Sequence, residues 1–411
     1  MGRFGHRNAR IIGTGMTALG KLGKSATALM TEALQGALGA AGLALGDLDG
    51  LVCVPSLSHP HFMEAHYLAT RTGLLPRRDL LVRTIDTGGA GPITALLEAR
   101  RMVEHEDCGA VAVCAGDAVS TLPTDEFLRR ADAGCSPSQS GHPLPSPVIP
   151  HGYSRCAEYQ IQNRGVTREQ LAMVSVLASA QAARHPAALT RTRHTLDDVL
   201  GAPAVAPAVG LLECARRADG GAALIVASSR FLEGRGRLGA GNGGAGDVVL
   251  LGGGEASGPL FPPHVIDETM FSCEAAARRA YDEAQLSPRD IDFWGLYDCF
   301  PVCFVRALEA VGVAKKGEGG AWVEEHYRAI EAAGDDADAL AAALPPVNTH
   351  GGLLAFGAPW EVPAMYNVIE AVAQLTGRAD ERQVEGARRA LCYGNGGIFS
   401  ASAVALLGTP V

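Results

Sequence analysis

The second half of this chain repeats the order of elements in its first half, and that duplication narrows the folds open to 411 residues more than composition does. Ser25–Ala41 places apolar side chains at Ala28, Leu29, Ala33, Leu34, Ala37, Leu38 and Ala41, a helical spacing that closes at Gly42. LALGDLDGLVCVPS follows as a loop and a strand. Ser272–Phe300 has the same grammar: an Ala-rich helix, a Leu-x-x-x-Asp-Ile-Asp loop, then a strand ending near polar residues. Asp47 and Asp49 thereby pair with Asp290 and Asp292. TIDTGGAGPITALLEA is echoed by VNTHGGLLAFGAPWEVPAMYNVIEAVAQL, and GAVAVCAGDA by RRALCYGNGGIFSASAVALL. Strands alternating with helices predict an α/β fold of two duplicated units, with mostly parallel sheets covered by helices.

A formal net charge of −9 argues against wholesale nucleic-acid binding. Met1–Arg10 is polar and basic with no apolar core after it, and no apolar run approaches the ~20 residues that span a bilayer. The expectation is a cytoplasmic protein with no membrane segment. Its ten cysteines are scattered through apolar contexts such as VAVCAG and ALCYG, and none forms a CxxC pair. They read as buried reduced thiols, not as disulfides or a zinc site.

Chemistry concentrates in Val82–Ala99. Leu80, Leu81 and Val82 read as a strand, Gly88, Gly89 and Gly91 as a tight turn, and the rest as an Ala/Leu-rich helix. A helix N-terminus behind such a turn offers N–H groups without intrahelical partners, a seat for negative charge. The stretch resembles the nucleophile turn of the thiolase superfamily, in particular its sterol-carrier-protein-x or lipid-transfer type, where a cysteine starts the helix. The cysteine's place falls on Gly88. The resemblance runs from Asn8 to Leu407 and implies a thiolase-like fold: two βαβαβαββ halves in a layered α-β-α-β-α body with an inserted loop domain. It divides the chain into an N-terminal half, residues 1–255, which includes a cover domain at 117–217, and a C-terminal half, residues 256–411. It also implies a coenzyme A thioester as substrate, no permanently bound cofactor, a homodimer formed through the sheet edge, and a small zinc-ribbon/OB-fold companion protein.

The chemistry-bearing loops depart from the family pattern. Gly88 offers no covalent route. WGLYDCFP resembles the family's HDCF motif with Tyr297 in the histidine place, and Gly357–Ala358–Pro359 stands where GHP would supply the activating histidine. NTHGG keeps the family's Asn-x-x-Gly-Gly and adds His350, while LCYGNGG is glycine-rich as expected. An oxyanion hole and an acid/base without a nucleophile suit carbon–carbon bond cleavage or formation through a thioester enolate. Thiolase-like aldolases that lack the cysteine and use tyrosines are similar in this respect. Tyr297 and His350 are the candidate acid/base pair; Gly88, Gly89, Asn348 and Gly396 the candidate oxyanion and substrate-binding positions; Asp298 and Tyr393 candidate supports. Two other readings stand beside an aldol or retro-aldol lyase of 3-hydroxyacyl-CoA. One is an acyltransferase of the acetyl-CoA acetyltransferase type working with a partner chain, the other a non-catalytic acyl-CoA-binding scaffold.

The remaining features read more blandly. His59, His61 and His66 lack a completing carboxylate or cysteine and suggest a lid or dimer-contact loop over zinc. His142 and His151 could reach the pocket from the Pro-rich insertion. Arg191, Arg193, Arg216 and Arg217 suit coenzyme A phosphates or a solvated surface. Gly234–Gly258 reads as a flexible connector, and Asp335–Ala343 as a surface helix.

Overall fold

The computed structural model describes residues 9–135, 143–237 and 246–410. Its strands are β1 (Ala9–Met16), β2 (Gly50–Cys53), β3 (Leu81–Thr84), β4 (Ala110–Ala118), β5 (Ala204–Ala206), β6 (Val209–Gly210), β7 (Asp219–Ser228), β8 (Val248–Ser257), β9 (Phe293–Gly295), β10 (Arg389–Gly396) and β11 (Ala401–Gly408). β5 and β6 form a small antiparallel pair; the other nine make one sheet in the order β3-β2-β4-β7-β1-β8-β11-β10-β9. The two halves meet at a short seam, where Arg10 pairs with Val249 and Ile11 with Val248. Outward from it the halves run in equivalent order: β1, β7, β4, β2, β3 on one side, and β8, β11, β10, β9 on the other. A parallel bridge from Trp294 to Val347 supplies the counterpart of β3.

The repeat extends to hydrogen bonds. The Asp49 carboxylate accepts from the backbone N–H groups of Gly109 and Ala110 at 2.7 and 3.2 Å, where the chain enters β4. Asp292 accepts from Arg388 and Arg389 at 2.8 and 2.9 Å, where the chain enters β10. Asp47 and Asp290 each close a short 3-10 turn just before. Ser25 caps helix Ala26–Ala41 through the Ala28 N–H, and Gly42 ends it at φ 65°.

Two expectations need correction. The sheet is mixed, not mostly parallel: β2 is parallel to β3 and β4, and β9 to β10, but β7 and β11 are antiparallel to both their neighbours. β11 follows β10 through a tight turn and β7 returns from the long insertion, so neither is fixed by a βαβ crossover. The glycine-rich segment is not simply a connector either. Residues 238–245 lie outside the described residues, but 248–257 form β8. Its glycines are there because helix Cys273–Ala284 lies directly on the strand: a Cβ on Gly254 would stand 2.1 Å from the Ala276 carbonyl oxygen. Gly15 in β1 meets helix Ala26–Ala41 in the same way, 2.2 Å from the Ala33 oxygen. β8 is thus the counterpart of β1, and we propose that the second half begins with β8 instead of at residue 256.

Helix Ala26–Ala41 covers β1, β4 and β7, and helix Cys273–Ala284 covers β8 and β11. Helices Gly91–His105 and Pro363–Leu375 touch strands of both halves and each other. That gives the α-β-α-β-α layering, with the two central helices pointing their N-termini toward the candidate site. The insertion between β4 and β7 contributes helices Thr124–Cys135, Val148–Arg164 and Arg168–Ala183. The last, started by a Thr167/Gln170 capping box, is buried along almost all its length. Ala337–Ala343 is an exposed helix capped by Asp336. No helix among the described residues is long and apolar enough to cross a membrane.

Candidate active site

β3 leads into a 3-10 turn, Gly88–Ala90, and then into helix Gly91–His105 with Pro92 in its first turn. No side chain caps either start, so the N–H groups there remain available to a ligand. Gly88 has φ +60°, and a Cβ on it would lie 2.9 Å from the Gly397 nitrogen. A Cβ on Gly396 would stand 1.8 Å from the Thr87 oxygen. Two glycine turns therefore meet backbone to backbone, and the Gly397 N–H sits beside the place a nucleophilic side chain would occupy.

Tyr297 reaches the same turn from the loop after β9. A Cβ on Gly89 would fall 2.0 Å from its hydroxyl oxygen, so the phenol stands against the turn one residue beyond the place of the missing nucleophile. Burial, reinforced by Cys299, Glu361, Cys303 and Asp298, pushes the phenol well above its usual range. At neutral pH it keeps its proton and acts as a hydrogen-bond donor.

Asn348 and Asp298 lace the loops around Tyr297. The Leu296 N–H donates to Asn348 Oδ1 at 2.6 Å, and Asn348 Nδ2 donates to the Leu296 oxygen at 2.8 Å. The Asn348 amide is therefore bonded to the Leu296 backbone at both ends, which makes it a staple between loops. Asp298 is buried and accepts from the Leu353 N–H at 2.7 Å, at the start of helix Gly352–Ala355. A Cβ on Gly352 would strike its Oδ2 at 2.0 Å. Burial raises this carboxyl to about 7 against bonds from Leu353, Leu354 and Asn348 that favour its ionised form. A raised carboxyl pKa means the folded state binds the extra proton, so its contribution is greatest below pH 4 and declines as pH rises to about 7. Asp298→Asn should flatten that part of the stability–pH curve. Asp298→Ala should cost about 1–3 kcal/mol by orphaning the Leu353 N–H; thermal melts from pH 4 to 8 read both effects.

No hydrogen bond or ring contact joins His350 to Tyr297 among the described residues. The His350 ring lies edge-on to Phe356 with centroids 5.0 Å apart, and its Nδ1 is buried without a partner among the described residues. Burial is the main cause that lowers it to about 3; Glu370 opposes this, and His185 and Arg382 add to it. It is a neutral imidazole throughout the physiological range. Tyr393 is buried in the core, its hydroxyl 3.3 Å from Asn395 Oδ1 and 3.4 Å from Ser402 Oγ.

Two residues escaped the sequence reading. Tyr153, on helix Val148–Arg164, stacks on Phe300 at 4.6 Å, donates to the Gly397 oxygen, and receives the Asn395 amide at 2.8 Å. It fixes the turn that carries the Gly397 N–H. Glu361 follows the Gly357–Pro359 loop; its carboxyl is within electrostatic reach of Asp86, Asp117 and Tyr297. Only its place one turn beyond the altered GHP position could have flagged it.

His61 is held by Glu64 at 3.2 Å and stacked on Tyr67 at 3.6 Å, and His59 by Ser58 at 2.9 Å. No metal-binding group of three ligands occurs among the described residues. His151 is bonded to the Pro147 oxygen at 3.0 Å, and His142 lies outside the described residues. Arg193 is spent on the end of helix Gly319–Ala333 and on Glu331, Arg191 and Arg216 on nearby carbonyls, and Arg217 lies over Phe127.

Over 404 residues the chain is 30% identical to the acetyl-CoA acetyltransferase of Methanothermobacter thermautotrophicus, covering 97% of this chain and 98% of that one. The chain belongs to the thiolase superfamily. Residues 264–409 of this thiolase-like protein match the family described as Thiolase C-terminal domain-like. Sterol carrier protein 2 of Oryctolagus cuniculus is 27% identical over 266 residues, 63% of this chain and 45% of that one. Among solved structures, an Ltp2-ChsH2(DUF35) aldolase superposes with a TM-score of 0.78 at 22% identity over 98% of both chains. Human mitochondrial 3-ketoacyl-CoA thiolase in complex with CoA does so with a TM-score of 0.72 at 14% identity, over 98% of both chains. At those identities the two structures establish the fold.

Proposed function

We propose that this protein acts on an acyl-CoA thioester and breaks or makes the carbon–carbon bond next to its carbonyl, as in aldol or retro-aldol chemistry of a 3-hydroxyacyl-CoA. The observation that carries the reading is the helix mouth itself. At Gly88 the space of a nucleophile lies beside the Gly397 nitrogen with no nucleophile to fill it, and the phenol of Tyr297 stands against the next residue, Gly89. In this reading the thioester oxygen accepts from the Tyr297 hydroxyl, the Gly397 N–H and the N–H groups at Gly88 and Gly89, and gathers charge as the enolate forms. Gly396 lets the second turn approach, and His350, as a neutral imidazole, orients the loop that Asn348 and Asp298 tie down. No acyl-enzyme is formed and no permanently bound cofactor is used. The aldolase among the structural neighbours supports this chemistry, and its two-component name supports a small companion protein. The acetyltransferase relative favours a second reading, acyl transfer with a partner chain supplying what Gly88 lacks.

The test is turnover of a panel of 3-hydroxyacyl-CoAs of increasing bulk, with and without the companion, read as aldehyde or ketone release. Release supports the lyase; acyl transfer without carbonyl product supports the second reading, and tight coenzyme A binding without turnover a scaffold.

A homodimer belongs to the same proposal. β3 is the outer strand of the first half, and Phe62 beside it is 92% exposed, with Met63 and Tyr67 also on the surface. A second copy covering this edge would bury them. Phe62→Asp should then turn a dimer into a monomer in size-exclusion chromatography with light scattering, and an unchanged dimer removes this face from consideration.

A further inference from the structure

Tyr297, held protonated, and His350, too weak a base at neutral pH, leave the proposed reaction without a group to take the β-hydroxyl proton. We propose that Glu361 is that group, and that it passes the same proton to the α-carbon. This rests on the lyase reading above.

The geometry of the Gly357–Val362 loop carries the assignment. Ala358 is pinned to the segment that leads into β7 by its N–H, which donates to the Arg216 oxygen at 2.7 Å. Trp360 sits at φ +49°, a left-handed conformation that a bulky residue adopts only where its surroundings enforce it. Those surroundings are the cover helix Thr124–Cys135, whose Phe127 meets the Trp360 ring edge-on at 5.8 Å, while Arg217 lies over the other side of Phe127 at 4.8 Å. The strained residue delivers the next one, Glu361, beneath the cover. Among the described residues its Oε2 is buried with no hydrogen-bond partner, a costly state for a carboxyl oxygen with no substrate to meet. The groups that face it come from four elements: Asp86 before the Gly88 turn, Asp117 at the end of β4, Tyr297 after β9, and Cys135 at the end of the cover helix. Two of these flank the helix mouth.

Burial, with Asp86 and Asp117 adding like charge, raises the Glu361 carboxyl to about 8 against an opposing hydrogen bond from the Trp360 side chain. A proton-transfer group works best when its pKa lies near the working pH. In cleavage the Glu361 carboxylate takes the β-hydroxyl proton, and the O–H electron pair becomes the new carbonyl π bond. The Cα–Cβ bond breaks, and its pair becomes the enolate, whose oxygen is held by Tyr297 and the Gly397 N–H. Protonated Glu361 then gives its proton to Cα, so an aldehyde or ketone and a shortened acyl-CoA leave with no net proton change.

The test compares kcat/KM against pH for the wild type, Glu361→Gln, Glu361→Asp and Asp86→Asn, with thermal melts and acyl-CoA affinity as controls for folding. The wild type should rise to a plateau through a limb near pH 8. Glu361→Gln should lose about 10²-fold or more and the limb with it, while still binding acyl-CoA. Glu361→Asp should regain part of the rate, and Asp86→Asn, which removes a neighbouring negative charge, should move the limb to lower pH. A wild type without that limb, or a Glu361→Gln enzyme that keeps it, overturns the assignment while leaving the lyase reading in place. If the wild type cleaves no 3-hydroxyacyl-CoA, the lyase reading falls. Exchange of acyl-CoA α-protons in D₂O then decides the residue: exchange lost in Glu361→Gln upholds it as the proton carrier, and no exchange in the wild type overturns it.

Discussion

Tyr297→Phe should lower kcat/KM for cleavage of a 3-hydroxyacyl-CoA by about 10²–10⁴-fold while leaving acyl-CoA affinity within a few-fold of wild type. The change removes one oxygen from a side chain buried in the hydrophobic core, so folding should be untouched. The expected loss is in kcat, because the hydroxyl strengthens its bond only as the thioester oxygen becomes an enolate oxygen. Gly89→Ala reaches the same end by another route, since its Cβ would stand 2.0 Å from that hydroxyl and push it away. Steady-state kinetics with titration of the product acyl-CoA separates the two parameters. Unchanged turnover in Tyr297→Phe would remove the phenol from the chemistry.

The largest stability effect should come from Arg382→Met. Arg382 makes a two-pronged bond to the buried Glu370 carboxylate, Nε to Oε1 at 3.1 Å and Nη2 to Oε2 at 3.2 Å, with Thr349 donating to Oε1 at 2.6 Å. Taking away the guanidinium leaves a buried, uncompensated charge, at a cost of about 3–5 kcal/mol. Burial pushes the Glu370 carboxyl up, but the bond from Arg382, the Arg382 charge and the bond from Thr349 together hold it below its usual value of 4.5. A depressed pKa gives a contribution that is present above pH 4.5 and is lost as pH falls through the lower folded value. The difference between wild type and variant should therefore be largest near neutrality and narrow in acid, measurable as denaturant midpoints at pH 7 and pH 4. A constant difference across that range contradicts the ion pair's role.

The fold was legible because repeated sequence does repeated physical work. Asp49 and Asp292 looked alike in sequence and take the same two N–H groups at equivalent strand starts. Ser25 and Gly42 bracketed their helix as caps should. β8 was missed because GGGE reads as a linker by composition, whereas its glycines answer to a helix backbone more than twenty residues downstream. At the site, the glycine turn and Tyr297 were recoverable, since each stands at a position where the thiolase pattern expects another residue. The fate of Asn348 was not: its amide faces Leu296, far along the chain, and only the folded loops show that both its ends are occupied. Nor could sequence show that His350 is sealed beside Glu370 and Arg382, or that Tyr153 and Glu361 arrive from other segments. Those facts are made by long-range contacts, which local patterns do not encode.

Intact-mass spectrometry of the protein during turnover of a 3-hydroxyacyl-CoA, run beside detection of the released aldehyde or ketone, tests the central claim most directly. A site that holds an enolate without a nucleophile predicts carbonyl product with the chain at its unmodified mass throughout. A stable or transient acyl adduct on the chain, accompanied by acyl transfer and no carbonyl release, would contradict it.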